Sequence, residues 1–302
     1  MEAIATTALC KSYGTKKAVD NIDLVVPEGA IYGFIGRNGA GKTTTQKMVC
    51  GLAHPTSGSV TLFGKPVGAQ DVREQIGVLI EQPALFSDLS AYENLVLQGL
   101  SIGIKNPKDQ AMKSLEMVEL TEAAKKKAKQ LSLGMKQRLG VALAMMGFPK
   151  LLVLDEPING LDPQGIIEMR GVFERLNREM GVTIFISSHI LGELSRVATH
   201  YGIIHDGRMI QQISAAELSE QSRDYLNIKV DNSEKARLLI EEKMNPSECS
   251  VGEDGLRVFG IKNSRDVNEL LWRNGLAVDE IYLHQQDLEE YFLRLMGGVQ
   301  VA

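Results

Sequence analysis

Gly36-Arg37-Asn38-Gly39-Ala40-Gly41-Lys42-Thr43-Thr44 stands between an apolar run at 31–35 and a helix-like segment at 44–50. The glycines let the backbone curl so that successive N–H groups point inward, and the following helix adds its positive N-terminal end. Lys42 is placed to reach β- and γ-phosphates, and Thr43, directly after it, to bind Mg²⁺. Glycines that merely made a tight turn would not require this spacing in a strand-then-helix context. The stretch is therefore read as a phosphate cradle, with Gly36, Asn38, Gly39, Ala40, Gly41, Lys42, Thr43 and Thr44 around the nucleotide. The context predicts an α/β fold with its ligand at the carboxyl ends of parallel strands.

A second stretch completes the chemistry. Leu151-Leu152-Val153-Leu154-Asp155-Glu156-Pro157 begins with four aliphatics, the pattern of a central parallel strand buried on both faces. Two carboxylates at its end would be costly to bury without a cation or a shared proton. Mg²⁺ supplies that cation: Asp155 would hold it, directly or through water, and Glu156 would orient or deprotonate the water attacking a γ-phosphate. Asn159-Gly160-Leu161-Asp162-Pro163 then turns into a helix predicted over 164–180. Another buried-type strand, 182–186, ends at Ser187-Ser188-His189. A lone histidine is usually structural, yet one at the end of a strand beside the phosphate-loop strand can face the γ-phosphate. The residues alone leave both readings of His189 open.

The flanking segments carry weaker signals. Strands are predicted over 2–9 and 21–26, joined through Lys11-Ser12-Tyr13-Gly14. Tyr13 either stacks on a purine or covers core at a strand end. Further strands are predicted over 59–63 and 75–81, the latter closing on the polar Glu81-Gln82-Pro83. From 90 to 120 the apolar spacing turns helical, with Asn106-Pro107 dividing it. The basic run Lys125-Lys126-Lys127-Ala128-Lys129 reads as a solvated face, since no aromatic interleaves it. Leu131-Ser132-Leu133-Gly134-Met135 opens another helix, where Ser132 is either part of an anion site or simply an N-cap.

Composition bounds the alternatives. The chain has 302 residues, 44% hydrophobic and 24% charged, with a formal charge of -5. That acidic balance argues against nucleic acid as a partner, because a phosphate-neutralising surface shows a basic excess. The length suggests about two domains. Cys10, Cys50 and Cys249 are odd in number, far apart and without metal-ligand spacing, so they are read as reduced packing residues. The N-terminus lacks the basic start and apolar core of a signal peptide, and the most apolar region, 141–154, is broken by Pro149 and Lys150 before it reaches spanning length. The chain itself is not expected to cross a membrane.

Taken together, GRNGAGKTT, LSLGM, LLVLDEP, NGLD and SSH, in that order and spacing over the first 215 or so residues, resemble the ATP-binding subunit of an ABC transporter. The resemblance implies a P-loop ABC ATPase domain with a mixed sheet, antiparallel N-terminal strands and a helical subdomain at about 88–148. It also implies an ATP sandwich, in which the phosphate loop of one subunit and the signature of a second enclose the same nucleotide. On that pattern Tyr13 stacks on adenine, Ser132 and Gly134 contact the γ-phosphate across the dimer, Asp162 links the two sites and His189 contacts the γ-phosphate. The cofactors are then ATP and Mg²⁺, and the catalytic group is Glu156, His189 and Lys42.

Two departures from the family pattern matter. LSLGM stands where LSGGQ is common, so Leu133 and Met135 replace a glycine and an amide while Ser132 and Gly134 remain. Counting back from Leu85, Leu89 and Glu93-Asn94-Leu95 places Glu81 at the position of the family's usual loop glutamine; a one-residue slip would put Gln82 there instead. Glutamate at that place resembles the E-loop of lantibiotic-immunity and bacitracin-type transporters, and it would join Thr43 and Asp155 as a metal ligand or repel the γ-phosphate.

The remainder reads β α β β α β: strand 224–230, helix 233–244, strands 248–252 and 255–260, helix 264–274 and strand 278–284, the ferredoxin-like split pattern. A last helix is predicted at 287–296, with Leu288, Tyr291, Phe292 and Leu295 on one face. The expected organisation is thus an ABC domain over 1–221 and an α+β accessory domain over 222–302, the latter resembling the appendage of bacitracin-type subunits and serving support or dimer stabilisation. Two subunits would close around two MgATP, as an ATP-dependent homodimer, and drive a separate membrane permease that handles a peptide antibiotic; the chain would be cytoplasmic and peripheral on the inner face of the membrane. The Glu81 loop and the helical insertion form the expected coupling surface. Signalling to a membrane kinase instead of export stays open, whereas ribosomal and DNA-repair relatives carry paired nucleotide domains or a long coiled coil, and neither occurs here.

Overall fold

The computed structural model describes residues 1–221, 224–252, 255–261 and 263–284. They fall into two compact units, divided after Ala215. The helix predicted at 287–296 lies outside the described residues.

The first unit opens with a long hairpin of β1 (Glu2–Tyr13) and β2 (Lys16–Pro27). Both strands outrun the expected 2–9 and 21–26. The alternation that marks a strand is interrupted by register shifts at Thr6/Leu9, Leu9/Lys11 and Lys11/Ser12, with positive φ at Ala8 and Asn21. Bulges of this kind move side chains to the other face and erase the two-residue period. After β3 (Ile31–Ile35) and α1 (Lys42–Val49) come β4 (Ser57–Leu62), β5 (Lys65–Pro66), the short α2 (Gln70–Arg73) and β6 (Ile76–Leu79). The first sheet is antiparallel, in the order β2-β1-β4-β5.

The helical insertion contains α3 (Ala91–Ser101), α4 (Pro107–Met117) and α5 (Leu133–Ala144). Ser90 caps α3 in a reciprocal box with Glu93, which satisfies two amides that the first turn leaves unpaired. Pro107 opens α4, where its missing N–H costs nothing. The basic run is exposed at Lys125, Lys126, Lys127 and Lys129, and Lys129 pairs with Asp88 at 2.7 Å. One guanidinium gathers the block: Arg138 Nη1 donates to the carbonyls of Val118 (3.2 Å) and Glu119 (3.3 Å), and Nη2 meets Glu168 Oε2 at 2.9 Å.

The chain returns through β7 (Leu151–Asp155), α6 (Pro163–Met180), β8 (Thr183–Ser188), α7 (Leu191–Leu194), β9 (His200–His205), β10 (Arg208–Ser214) and α8 (Ala215–Gln221). The second sheet has the order β10-β9-β3-β8-β7-β6, with only β10 antiparallel to its neighbour. All of β3, β7 and β8 is buried, as expected for parallel strands covered on both faces. Helix α6 begins on an Asp162 cap and Pro163 and stops at Gly181 in the left-handed region. It buries Met169, Val172, Phe173 and Leu176 on one stripe, each contributing roughly 1.5–3 kcal/mol relative to exposure. Because β3, β8 and β7 are adjacent, their carboxyl ends bring residues 36–43, 187–189 and 155–156 to one rim.

The second unit runs β11 (Tyr225–Val230), α9 (Ser233–Met244), β12 (Glu248–Gly252), β13 (Gly255–Phe259), α10 (Ser264–Arg273) and β14 (Val278–His284). Its antiparallel sheet has the order β12-β13-β11-β14, the split β-α-β-β-α-β arrangement. Leu226, Ile228, Leu256 and Val258 pack against Ala236, Ile240, Val267 and Leu271 of the helices.

Candidate nucleotide site

The phosphate loop is fixed at both ends. Gly36 N–H donates to Ser188 O at 3.3 Å and Gly207 N–H to Ala40 O at 3.0 Å. Helix α1 starts at Lys42, two residues before the sequence-based expectation, because Gly41 takes φ 107° and serves as its N-cap without any side-chain cap. Its first-turn amides therefore have neither intrahelical nor capping acceptors, the condition an anion satisfies. Asn38 and Gly39 are exposed, Ala40 is buried, and Thr43 and Thr44 are half-buried.

Lys42 is 5% exposed. Its Nζ donates to the carbonyls of Gly36 (2.7 Å) and Arg37 (3.3 Å) and meets Glu156 Oε1 at 3.1 Å. Glu156 adopts φ +49°, a conformation that costs a non-glycine residue of order 1 kcal/mol and collects at functional sites. Its other carboxylate oxygen accepts from His189 Nδ1 at 2.7 Å. Lysine and histidine thus aim the carboxylate from two sides, the orientation a general base requires.

Asp155 is buried and doubly held. Thr43 Oγ1 donates to its Oδ2 at 2.8 Å, and Ser187 Oγ to its Oδ1 at 2.6 Å. Ser187 also accepts the Glu156 amide at 3.0 Å. The hydroxyl of Thr43 and the carboxylate of Asp155 are the hard oxygen donors Mg²⁺ prefers, and among the described residues no cluster of three or more His, Cys, Asp or Glu forms a protein-only cage. Mg²⁺ usually takes one or two protein oxygens with substrate phosphates and water, so this donor set fits.

Lys42, Thr43, Asp155, Glu156 and His189 are joined by direct side-chain contacts, with the 36–44 loop around Lys42; Tyr13, Glu81, Ser132 and Asp162 make other contacts. Tyr13 ends β1 at 55% exposure, covering no core, with Lys11 Nζ 5.1 Å from its ring centroid. Glu81 is turned toward helix α1. Its carboxylate meets Lys47 Nζ at 2.7 Å, and this partner holds it below the usual carboxylate range. Gln82 beside it is exposed. Ser132 caps α5 by accepting the Met135 amide at 3.2 Å, and Asp162 caps α6 by accepting the Gly165 amide at 3.1 Å. Both are exposed, and Gly134 faces Leu161 and Gly165 rather than the phosphate loop.

Three neighbours were not anticipated. Ser187 had a partial signal, a polar residue closing an aliphatic strand. Lys47 had none, since a helical lysine reads as solvated surface. Glu193 lies close enough to His189 and Glu156 to feel both; burial pushes its carboxyl up, with His189 and Arg170 pulling it back.

This geometry has close relatives. A family model described as ABC transporter matches residues 19–159. Over 98% of the chain and 97% of the relative, the sequence is 43% identical to the bacitracin transport ATP-binding protein BcrA of Bacillus licheniformis. The chain belongs to the ABC transporter ATP-binding proteins. This ABC ATPase is also 44% identical, over 67% of its length and 86% of the relative, to the lantibiotic transport ATP-binding protein SrtF of Streptococcus pyogenes. The solved dimeric structure of a post-hydrolysis state of the ATP-binding cassette MJ0796 bound to ADP and Pi superposes with TM-score 0.63 at 25% identity, covering 70% of the ABC ATPase and 98% of that chain. Among its described residues no helix is long and apolar enough to cross a membrane.

Proposed function

We propose that this chain is the ATP-hydrolysing subunit of an ABC transporter that expels a membrane-active peptide antibiotic of the bacitracin or lantibiotic type. The observation that carries the substrate class is the 43% identity to a bacitracin transport protein running through both units rather than through the nucleotide unit alone. ATP with Mg²⁺ supplies a γ-phosphoryl bond whose hydrolysis releases energy. Lys42 and the uncapped start of α1 bind the phosphates, Thr43 and Asp155 offer oxygens to the metal, and Tyr13 stacks on the base. Glu156, aimed by Lys42 and His189, accepts a proton from the attacking water.

Ser132 and Asp162 are exposed, and each accepts an amide of the helix it caps, which supports a composite site completed by a second copy. Two subunits close over two nucleotides because the bound nucleotides add contacts that the open state lacks. The permease is a separate chain. A cleft of about 730 Å³ beside the edge strand β6, lined by Val78, Leu79, Pro83, Ile102 and Leu143, supports docking of that permease between the sheet and the helical insertion, and with it a place at the inner membrane face. The test is to co-purify the permease and assay cells carrying Glu156→Gln. Loss of peptide resistance supports export; intact resistance with lost peptide signalling would replace export by a sensory role.

A further inference from the structure

Lys47 stands in the last turn of α1, the helix whose first turn carries Lys42 and Thr43. Its Nζ crosses to Glu81 Oε1 at 2.7 Å. Glu81 takes φ +66°, so a non-glycine residue in a sparsely populated conformation directs its side chain at a helix that already carries the nucleotide contacts. The pair joins α1 to the loop between β6 and α3. Leu79 of β6 lies in register with Leu154 of β7, and Gln46, beside Lys47, donates to Leu154 O at 3.0 Å, so the pair stands at the carboxyl rim of the sheet next to Asp155.

The bland expectation for a pair with side chains 36% and 67% exposed is a solvated ion pair with little effect on stability. What such a pair can still do is settle the local charge. A carboxylate left alone beside a polyphosphate repels it; the same carboxylate held by an ammonium does not.

We propose that Lys47 is a positioning residue for Glu81, supplying the counter-charge that makes a carboxylate tolerable beside the nucleotide and holding the β6–α3 loop to the phosphate-loop helix. The proposal rests on the reading of residues 36–44 as the phosphate site. Without a partner, Glu81 opposes nucleotide entry; with Lys47 in place it does not, and a bound metal ion lessens the difference by screening the phosphates.

Calorimetric titration of ATP into the full chain, in EDTA so that no turnover occurs and again with Mg²⁺, tests this with Lys47→Gln, Lys47→Arg, Glu81→Gln and the Lys47→Gln/Glu81→Gln pair. Lys47→Gln is expected to weaken ATP about fivefold in EDTA and less in Mg²⁺. Lys47→Arg should bind like the parent, and the paired variant within about twofold of Glu81→Gln. An equal loss in the Glu81→Gln background, or no loss at all, overturns the proposal while leaving the phosphate site intact. A parent chain that fails to bind ATP overturns the site reading as well. If Lys47→Gln melts early, Lys47→Met takes its place in the same cycle: a loss of ATP affinity that vanishes in the Glu81→Gln background supports the proposal, and a loss that persists there, or none, overturns it.

Discussion

Lys42 Nζ lies 3.1 Å from Glu156 Oε1, so the ammonium placed for the phosphates is already engaged by the proposed general base. Incoming phosphate must share or displace that contact. Glu156→Gln weakens the competing interaction and removes the base. ATP affinity should stay equal or rise a few-fold, while hydrolysis falls about 100-fold or more. Calorimetry and single-turnover assays read the two effects separately, and undiminished hydrolysis would take Glu156 out of the reaction. At saturating ATP the same variant should form dimers on size exclusion.

Ser187 supports two groups at once, donating to Asp155 and accepting from the Glu156 amide. Ser187→Ala leaves the part-buried Glu156 amide without its acceptor, at a cost of roughly 1 kcal/mol. For a unit of this size each kcal/mol corresponds to about 2–4 °C in Tm. Thermal unfolding should show that loss, and the Mg²⁺ concentration for half-maximal turnover should rise. A Tm and metal requirement equal to the parent's would show that Ser187 positions nothing.

Gly41 and Gly39 both have positive φ, yet only one is hemmed in. A Cβ on Gly41 would lie 2.5 Å from Ala18 O, whereas one on Gly39 meets nothing within 4 Å. Gly39→Ala should cost about 1 kcal/mol of backbone strain. Gly41→Ala adds a clash with main chain, for a total of about 3 kcal/mol, and loses ATP binding. Denaturant titration ranks the two, and equal costs would contradict the packing described.

Tyr13 is exposed, with Lys11 over its ring. Removing it should leave the apo protein's stability within about 0.5 kcal/mol. Base–aromatic stacking is worth about 1–3 kcal/mol, so Tyr13→Ala should weaken ATP by about tenfold while Tyr13→Phe retains most affinity. Equal binding by the alanine variant would return Tyr13 to an incidental surface residue.

Much of this site was legible because phosphate chemistry constrains neighbours in sequence. The loop at 36–44 and the acidic pair at 155–156 each announce themselves over a few residues. Their partnership with Ser187 depends on strand order, which places β8 between β3 and β7, and no local pattern records that. Strand β6 stops at Leu79 rather than reaching residue 81 because Glu81 leaves the extended region. Strand β8 instead runs on through Ser187 and Ser188, whose hydroxyls looked like an ending but are buried, hydrogen-bonded strand positions. The β1–β2 hairpin was underestimated for the opposite reason, its bulges hiding a continuous ladder. The helical lysine at 47 became informative only when the fold put Glu81 in its reach.

Arg138 gives the helical insertion a mechanical character. By fastening the end of α4 to α5 and, through Glu168, to the helix that starts at Asp162, it turns three helices into one stiff lever. A push applied at its far end would reach Asp162 with little lost to bending. Arg138→Met should soften it, read as faster amide exchange at residues 118–120, and the stroke would then be spent within the subunit instead of at its partner.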